Sequence, residues 1–72
     1  MTKRQNLIKA RKLAGLTQTK LSQLVGVTVG AISHLESGRN GARPETWDKL
    51  EDILGVPQRQ LREIANYSIA QE

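Results

Sequence analysis

The stretch from Thr17 to Gly38 constrains the fold of this chain more than any other part of the sequence. It reads TQTKLSQLVGVTVGAISHLESG, and its apolar residues recur at the spacing of two short helices. Gly26 separates them, and a glycine there permits the positive φ of a tight turn. Thr17 and Thr28 stand where a hydroxyl can cap each helix start. We therefore expect two helices joined by a tight turn.

The rest of the chain has the same helical periodicity, so we predict an all-α, compact five-helix domain with the two-helix unit at helices two and three. The first helix is expected from about Lys3 to Ala14, started by a capping box of Thr2 and Gln5. Its shared face comprises Leu7, Ile8, Arg11 and Ala14. The expected buried residues of the later helices are Leu21, Leu24 and Val25; Ile32 and Leu35; Trp47, Leu50, Ile53 and Leu54; and Leu61, Ile64 and Ala65.

The expected boundaries follow the glycines and prolines. The third helix is predicted to run to about Ser37, the fourth from Pro44 to Gly55, and the fifth from Pro57. We assign residues 1–66 to the domain and residues 67–72 to a tail that frays.

The 72 residues carry a net charge of +4 that is distributed unevenly. Residues 1–43 contain eight lysines and arginines against a single acidic residue, Glu36, whereas residues 44–72 contain three basic and six acidic residues. A basic half favours a polyanionic partner, although clustered surface charge is the simpler alternative.

Several classes of function are disfavoured by the composition. There is no cysteine, and His34 is the only histidine, so a Cys–His pair and a thiolate metal site are excluded, and no metal or other cofactor is expected. The acidic residues of the fourth helix fit a solvated face. No apolar run is long enough to span a membrane. We expect a cytoplasmic protein with no enzymatic activity and no small-molecule substrate.

The third helix has one apolar side and one side of small or polar residues. Thr28, Ile32, Leu35 and Glu36 fall on the first side, and Gly30, Ser33, His34 and Ser37 fall on the second, with Val29 between them at the start. A major groove of B-DNA admits one α-helix, whose first residues contact the base edges. A solvated amphipathic helix would show the same pattern, so the flanking residues decide.

Those flanking residues favour phosphate binding. Gln18 stands at the start of the second helix, where the helix dipole favours an anion. Asn40, Gly41 and Arg43 follow the third helix in a basic loop. Two sites that hold the DNA backbone, one on each side of the helix, would position the protein while the helix contacts the bases.

Two charges fall on apolar faces, Arg11 in the first helix and Glu36 in the third. Each would be costly to bury alone, so we predict a structural ion pair between them. The alternative is that both side chains extend to water.

The motifs Leu16-Thr17-Gln18, Gly26-Val27-Thr28, Leu35-Glu36-Ser37-Gly38, Arg43-Pro44 and Leu54-Gly55-Val56, together with Leu21 and Ile32, resemble the Cro/phage-repressor type (XRE-like) of helix-turn-helix domain. The resemblance spans about residues 7–64. It implies a repressor-like domain that binds double-stranded operator DNA as a homodimer, and in such domains an arginine and a glutamate at the places of Arg11 and Glu36 commonly pair.

From the residues and this resemblance together we assign two groups of DNA-contacting positions. The base-facing positions are Thr28, Val29, Gly30, Ser33 and His34. The phosphate-contacting positions are Gln18, Ser37, Arg39, Asn40 and Arg43. Family members often have long polar side chains where this chain has Val29 and Gly30, and neither makes a bidentate hydrogen bond to a base. We therefore expect few direct base contacts, with a larger share of the affinity coming from phosphate contacts and DNA shape.

Two functions remain open. The first is a sequence-specific transcriptional regulator, dimerising around the fifth helix and Tyr67 or Ile69. The second is a small helix-turn-helix protein that acts through a partner protein, such as a larger repressor, in the manner of an antirepressor or antitoxin.

Overall fold

The computed structural model describes residues 3–64 and has five helices in that range: α1 (Gln5–Leu13), α2 (Gln18–Val25), α3 (Val29–Glu36), α4 (Pro44–Leu54) and α5 (Gln58–Leu61). No strand occurs within these residues. The all-α prediction is confirmed. Ala65, Tyr67, Ile69 and the capping residue Thr2 lie outside the described range.

Helices α2 and α3 form the two-helix unit that the sequence predicts. The Thr17 and Thr28 hydroxyls each accept a hydrogen bond, at 3.0 Å, from a backbone amide of the helix that follows, at Lys20 and Ala31. Gly26 ends α2 with φ +87°, a left-handed conformation that other residues rarely adopt. The chain therefore reverses between Val25 and Thr28 without strain.

A single apolar core joins the five helices. Its buried members are Leu7, Ala10, Leu21, Val25, Ile32, Leu35, Trp47, Leu50 and Leu61. Every helix contributes at least one of them, and burial of large side chains such as these stabilises a domain by roughly 1.5–3 kcal/mol each. The core fixes the orientation of α3, because Ile32 and Leu35 point inward and leave the opposite side of the helix free.

Two predicted core positions are wrong, and one residue of the shared face expected for α1 is exposed. Leu24 is 48% exposed, because α2 turns Ser22 inward beside Leu21 and Val25. Ile64 is 40% exposed, since α5 ends at Leu61. Ala14 is also exposed, as the residue that follows the last turn of α1.

The start of α1 also differs from the prediction. The helix begins at Gln5 rather than near Lys3, and its N-cap, Arg4, makes no side-chain capping bond. The Arg4 backbone amide instead donates to the Glu36 carbonyl at 2.9 Å. The chain ahead of α1 is thus attached to the end of α3.

Candidate nucleic-acid interface

The third helix presents a narrow side of small side chains to solvent. Val29, Gly30 and Ser33 are exposed, and His34 is half-buried. Adding a Cβ at Gly30 would meet only the Thr28 hydroxyl, at 3.9 Å, so the backbone there is open to close approach. This side of α3 is the part of the helix that is accessible to another molecule.

Two shallow clefts flank α3. One, of about 180 Å³, is lined by Gln18, Ser33, Ser37, Lys3, Ile8 and Glu36. The other, of about 350 Å³, lies between α3 and the loop to α4 and includes Ala31, Asn40, Gly41 and Arg43. The structure therefore brings three of the predicted contact residues together on one flank and Asn40 and Arg43 together on the other. Thr28, Val29, Gly30, His34 and Arg39 line neither cleft.

Several of the predicted contact residues already have hydrogen-bond partners in the chain. The Ser37 hydroxyl donates to the His34 carbonyl at 3.0 Å, and the Thr28 hydroxyl caps α3. The Asn40 side-chain nitrogen lies 3.4 Å from His34 Nδ1. Arg39 and Arg43 are exposed cations. They are the cations of the segment between α3 and α4.

The Arg11–Glu36 pair lies directly behind this surface. Arg11 Nε donates to Glu36 Oε2, and the two side chains are only 11% and 6% exposed. Arg11 Nη1 also donates to the Leu16 carbonyl at 2.8 Å, and the Gln18 amide donates to Glu36 Oε1 at 2.9 Å. The carboxylate thereby connects α1, the start of α2 and α3, so the two-helix unit is held rigidly behind its exposed side.

Arg4 is a structural residue that sequence reasoning missed, since we counted it only as a surface charge. Its guanidinium donates to the carbonyls of Leu35 (2.8 Å), Asn40 (2.8 Å) and Arg62 (3.1 Å) and lies 5.3 Å from the Trp47 ring centroid. Burial, and to a lesser degree the nearby Arg62 charge, lower the pKa of Arg4. An arginine remains charged even so. Arg4 thus fixes the loop that begins after α3.

Lys3 was also missed as part of the surface. It lines the cleft beside Gln18 and Ser33 because the Arg4 amide bonds to the end of α3. The only sequence signal was a basic residue near the start of the chain. The contact that positions Lys3 is the bond from the Arg4 amide to the Glu36 carbonyl, which joins residues 32 positions apart.

A comparison with known families matches residues 7–57 to a family model described as helix-turn-helix. The chain belongs to the Cro/phage-repressor (XRE-like) helix-turn-helix family. Members are DNA-binding, non-enzymatic domains, so double-stranded DNA is the partner that membership indicates. Neither the curated proteins nor the solved structures gave a match.

Within this helix-turn-helix domain, α2 and α3 are the first and second motif helices. Among the described residues, no helix has the length and apolar character needed to cross a membrane.

Proposed function

We infer that the protein is a sequence-specific transcriptional regulator of the phage or bacterial repressor–Cro type, which inserts α3 into the major groove of operator DNA. The observation that carries this function is the exposed side of α3, flanked by one cleft with Gln18 and Lys3 and another with Asn40 and Arg43. Polar and basic groups on both flanks suit the two phosphate strands that border a groove.

Base contact comes from Thr28, Val29, Gly30, Ser33 and His34. Val29 is 45% exposed and suits contact with a thymine methyl group, and the exposed Ser33 has a hydroxyl that can donate or accept a hydrogen bond. The Thr28 hydroxyl already caps α3, so its methyl group is the part left for DNA. Few side chains contact the bases directly, so DNA shape and phosphate contacts supply the remaining affinity.

Phosphate contact comes from Gln18, Ser37, Arg39, Asn40 and Arg43, to which the structure leads us to add Lys3. A primary amide carries two N–H groups, and Gln18 uses one for Glu36, so the second remains for a phosphate oxygen. The Glu36 charge behind it is neutralised by Arg11.

We further propose that the protein acts as a cytoplasmic homodimer on two half-sites about one helical turn apart. Ile64, exposed just beyond α5, supports an interface at that end of the domain.

The alternative function through a partner protein is favoured by Leu13, which is 89% exposed in the last turn of α1. Purification with a stoichiometric partner and no binding to DNA alone would favour it.

Fluorescence anisotropy with a labelled duplex tests the proposed surface. Ser33→Glu places a carboxylate on the exposed side of α3, and Gln23→Glu places one at an exposed position of α2 as the matched control. Repulsion from the groove should weaken binding by Ser33→Glu at least about tenfold relative to the control. Equal affinities of the two variants would reject α3 as the contact surface.

A further inference from the structure

A basic cleft lies between the start of α1, the loop before α4, and α5, and no residue of α3 lines it. Its volume is about 500 Å³, and it is lined by Arg4, Gly41, Ala42, Trp47, Arg59, Arg62 and Glu63. Three arginines and one glutamate share this space. A concave surface of this size suits a small ligand.

The buried arginine has no carboxylate partner among residues 3–64. Arg4 is only 7% exposed, and its Nε and Nη1 atoms donate to backbone carbonyls, which carry no full charge. Its Nη2 has no partner within this range. Arg4 nevertheless lines the cleft, so part of this side chain can contact a ligand there.

A second cation lies close to the first, and neither forms a salt bridge within residues 3–64. Arg62 lies 6.0 Å from the Trp47 ring centroid, the same ring that Arg4 approaches at 5.3 Å. Two like charges on one aromatic ring repel each other, and an anion between them would remove that repulsion. The one acidic residue of the cleft, Glu63, already accepts a hydrogen bond from the Asn6 amide at 2.9 Å.

We propose that this cleft binds a phosphate group, held by Arg4 Nη2 and the guanidinium groups of Arg62 and Arg59. Guanidinium groups bind phosphate oxygens through short, charge-assisted hydrogen bonds. Trp47, Gly41 and Ala42 leave an uncharged wall for the organic part of a phosphate ester. The phosphate belongs either to a small phosphorylated compound or to the DNA backbone beside the α3–α4 loop. The proposal does not depend on the role of α3.

Titration with inorganic phosphate at constant ionic strength tests the site. Trp47 is the only tryptophan, so its fluorescence reports directly on the cleft. Arg62→Gln and Arg59→Gln change exposed side chains and leave the Arg62 carbonyl in place, whereas Lys12→Gln removes an exposed charge of α1 elsewhere. We expect saturable binding, weakened about tenfold by Arg62→Gln and less than twofold by Lys12→Gln. A fluorescence response that does not saturate would overturn the proposal. Equal weakening of phosphate binding by Arg62→Gln and Lys12→Gln would also overturn it.

Duplex binding by the same variants identifies the source of the phosphate. If Arg62→Gln retains DNA affinity but loses phosphate binding, the ligand is a small phosphorylated compound. If it also lowers DNA affinity and its salt dependence more than Lys12→Gln does, the cleft receives a backbone phosphate. Loss of DNA binding by Ser33→Glu with normal phosphate titration leaves the cleft intact, so this site and the proposed function of α3 are tested separately.

Discussion

The side-chain amide of Gln18 donates a hydrogen bond to Glu36 Oε1 at 2.9 Å, which links the start of α2 to the buried ion pair. Gln18 is the residue we assign to a DNA phosphate, and Glu36 is part of the internal framework. The same amide thus connects the proposed contact surface with the pair that joins α1 to α3. Substitutions at this position should affect both folding and binding.

Gln18→Glu should be more destabilising than Gln18→Ala at neutral pH. The alanine variant loses one hydrogen bond, worth about 1 kcal/mol, whereas the glutamate variant places a second carboxylate beside Glu36. Repulsion raises the pKa of the introduced carboxyl in the folded state, so its destabilisation is largest at neutral pH and decreases as the pH falls. Urea unfolding between pH 4 and 7 measures this difference. Equal, pH-independent stabilities of the two variants would show that the amide does not contact Glu36 in solution.

Glu36→Ala should lower the free energy of unfolding by about 3–5 kcal/mol, because it leaves the Arg11 guanidinium buried without its counter-charge. The double variant Arg11→Met with Glu36→Leu removes both charges and should recover much of that loss. Chemical denaturation of all three proteins gives the comparison. A single variant within 1 kcal/mol of wild type would argue against the pair.

Arg4→Lys should destabilise the fold by roughly 2–3 kcal/mol although the charge is retained. A lysine ammonium cannot reproduce the planar arrangement of bonds to Leu35, Asn40 and Arg62. Hydrogen exchange at the Arg39 and Asn40 amides, which donate to the His34 carbonyl at 3.0 and 3.4 Å, should also become faster, since the loop loses its attachment. Lys3→Gln, at the exposed neighbouring residue, is the control. Unchanged exchange in the loop would contradict the positioning role of Arg4.

Arg43→Gln should weaken binding to all duplexes similarly and reduce the slope of log K against log salt by about 0.9, the value for one released counterion. Lys12→Gln removes one charge from an exposed position outside both flanking clefts and should leave the slope nearly unchanged. Anisotropy titrations at several salt concentrations measure both slopes. Parallel slopes for wild type and Arg43→Gln would remove Arg43 from the phosphate contacts.

The local signals in the sequence predicted the two-helix unit well. Thr17, Gly26 and Thr28 act through bonds or backbone angles within a few residues, so their roles can be inferred without the tertiary structure. The spacing of Leu21, Val25, Ile32 and Leu35 likewise predicted the core that orients α3. These features are sufficient to predict the position of the exposed side of α3.

Features that depend on tertiary contacts could not be predicted in this way. The rotation of α2 that buries Ser22 and exposes Leu24 depends on how closely its neighbours pack. Arg4 donates to the carbonyls of residues that lie 31, 36 and 58 positions further along the chain. No periodic pattern in the sequence identifies an arginine with that role. The basic cleft was missed for the same reason.

Selection of duplexes from a random library at fixed salt, with wild type and Val29→Gln in parallel, tests most directly whether α3 reads DNA. Val29 is 45% exposed on this helix, and a glutamine there gains the ability to bind adenine through two hydrogen bonds. We predict that wild type enriches a palindromic site, and that Val29→Gln enriches a site changed at one position in each half. Failure of wild type to enrich any sequence, or identical sites for both proteins, would contradict the account.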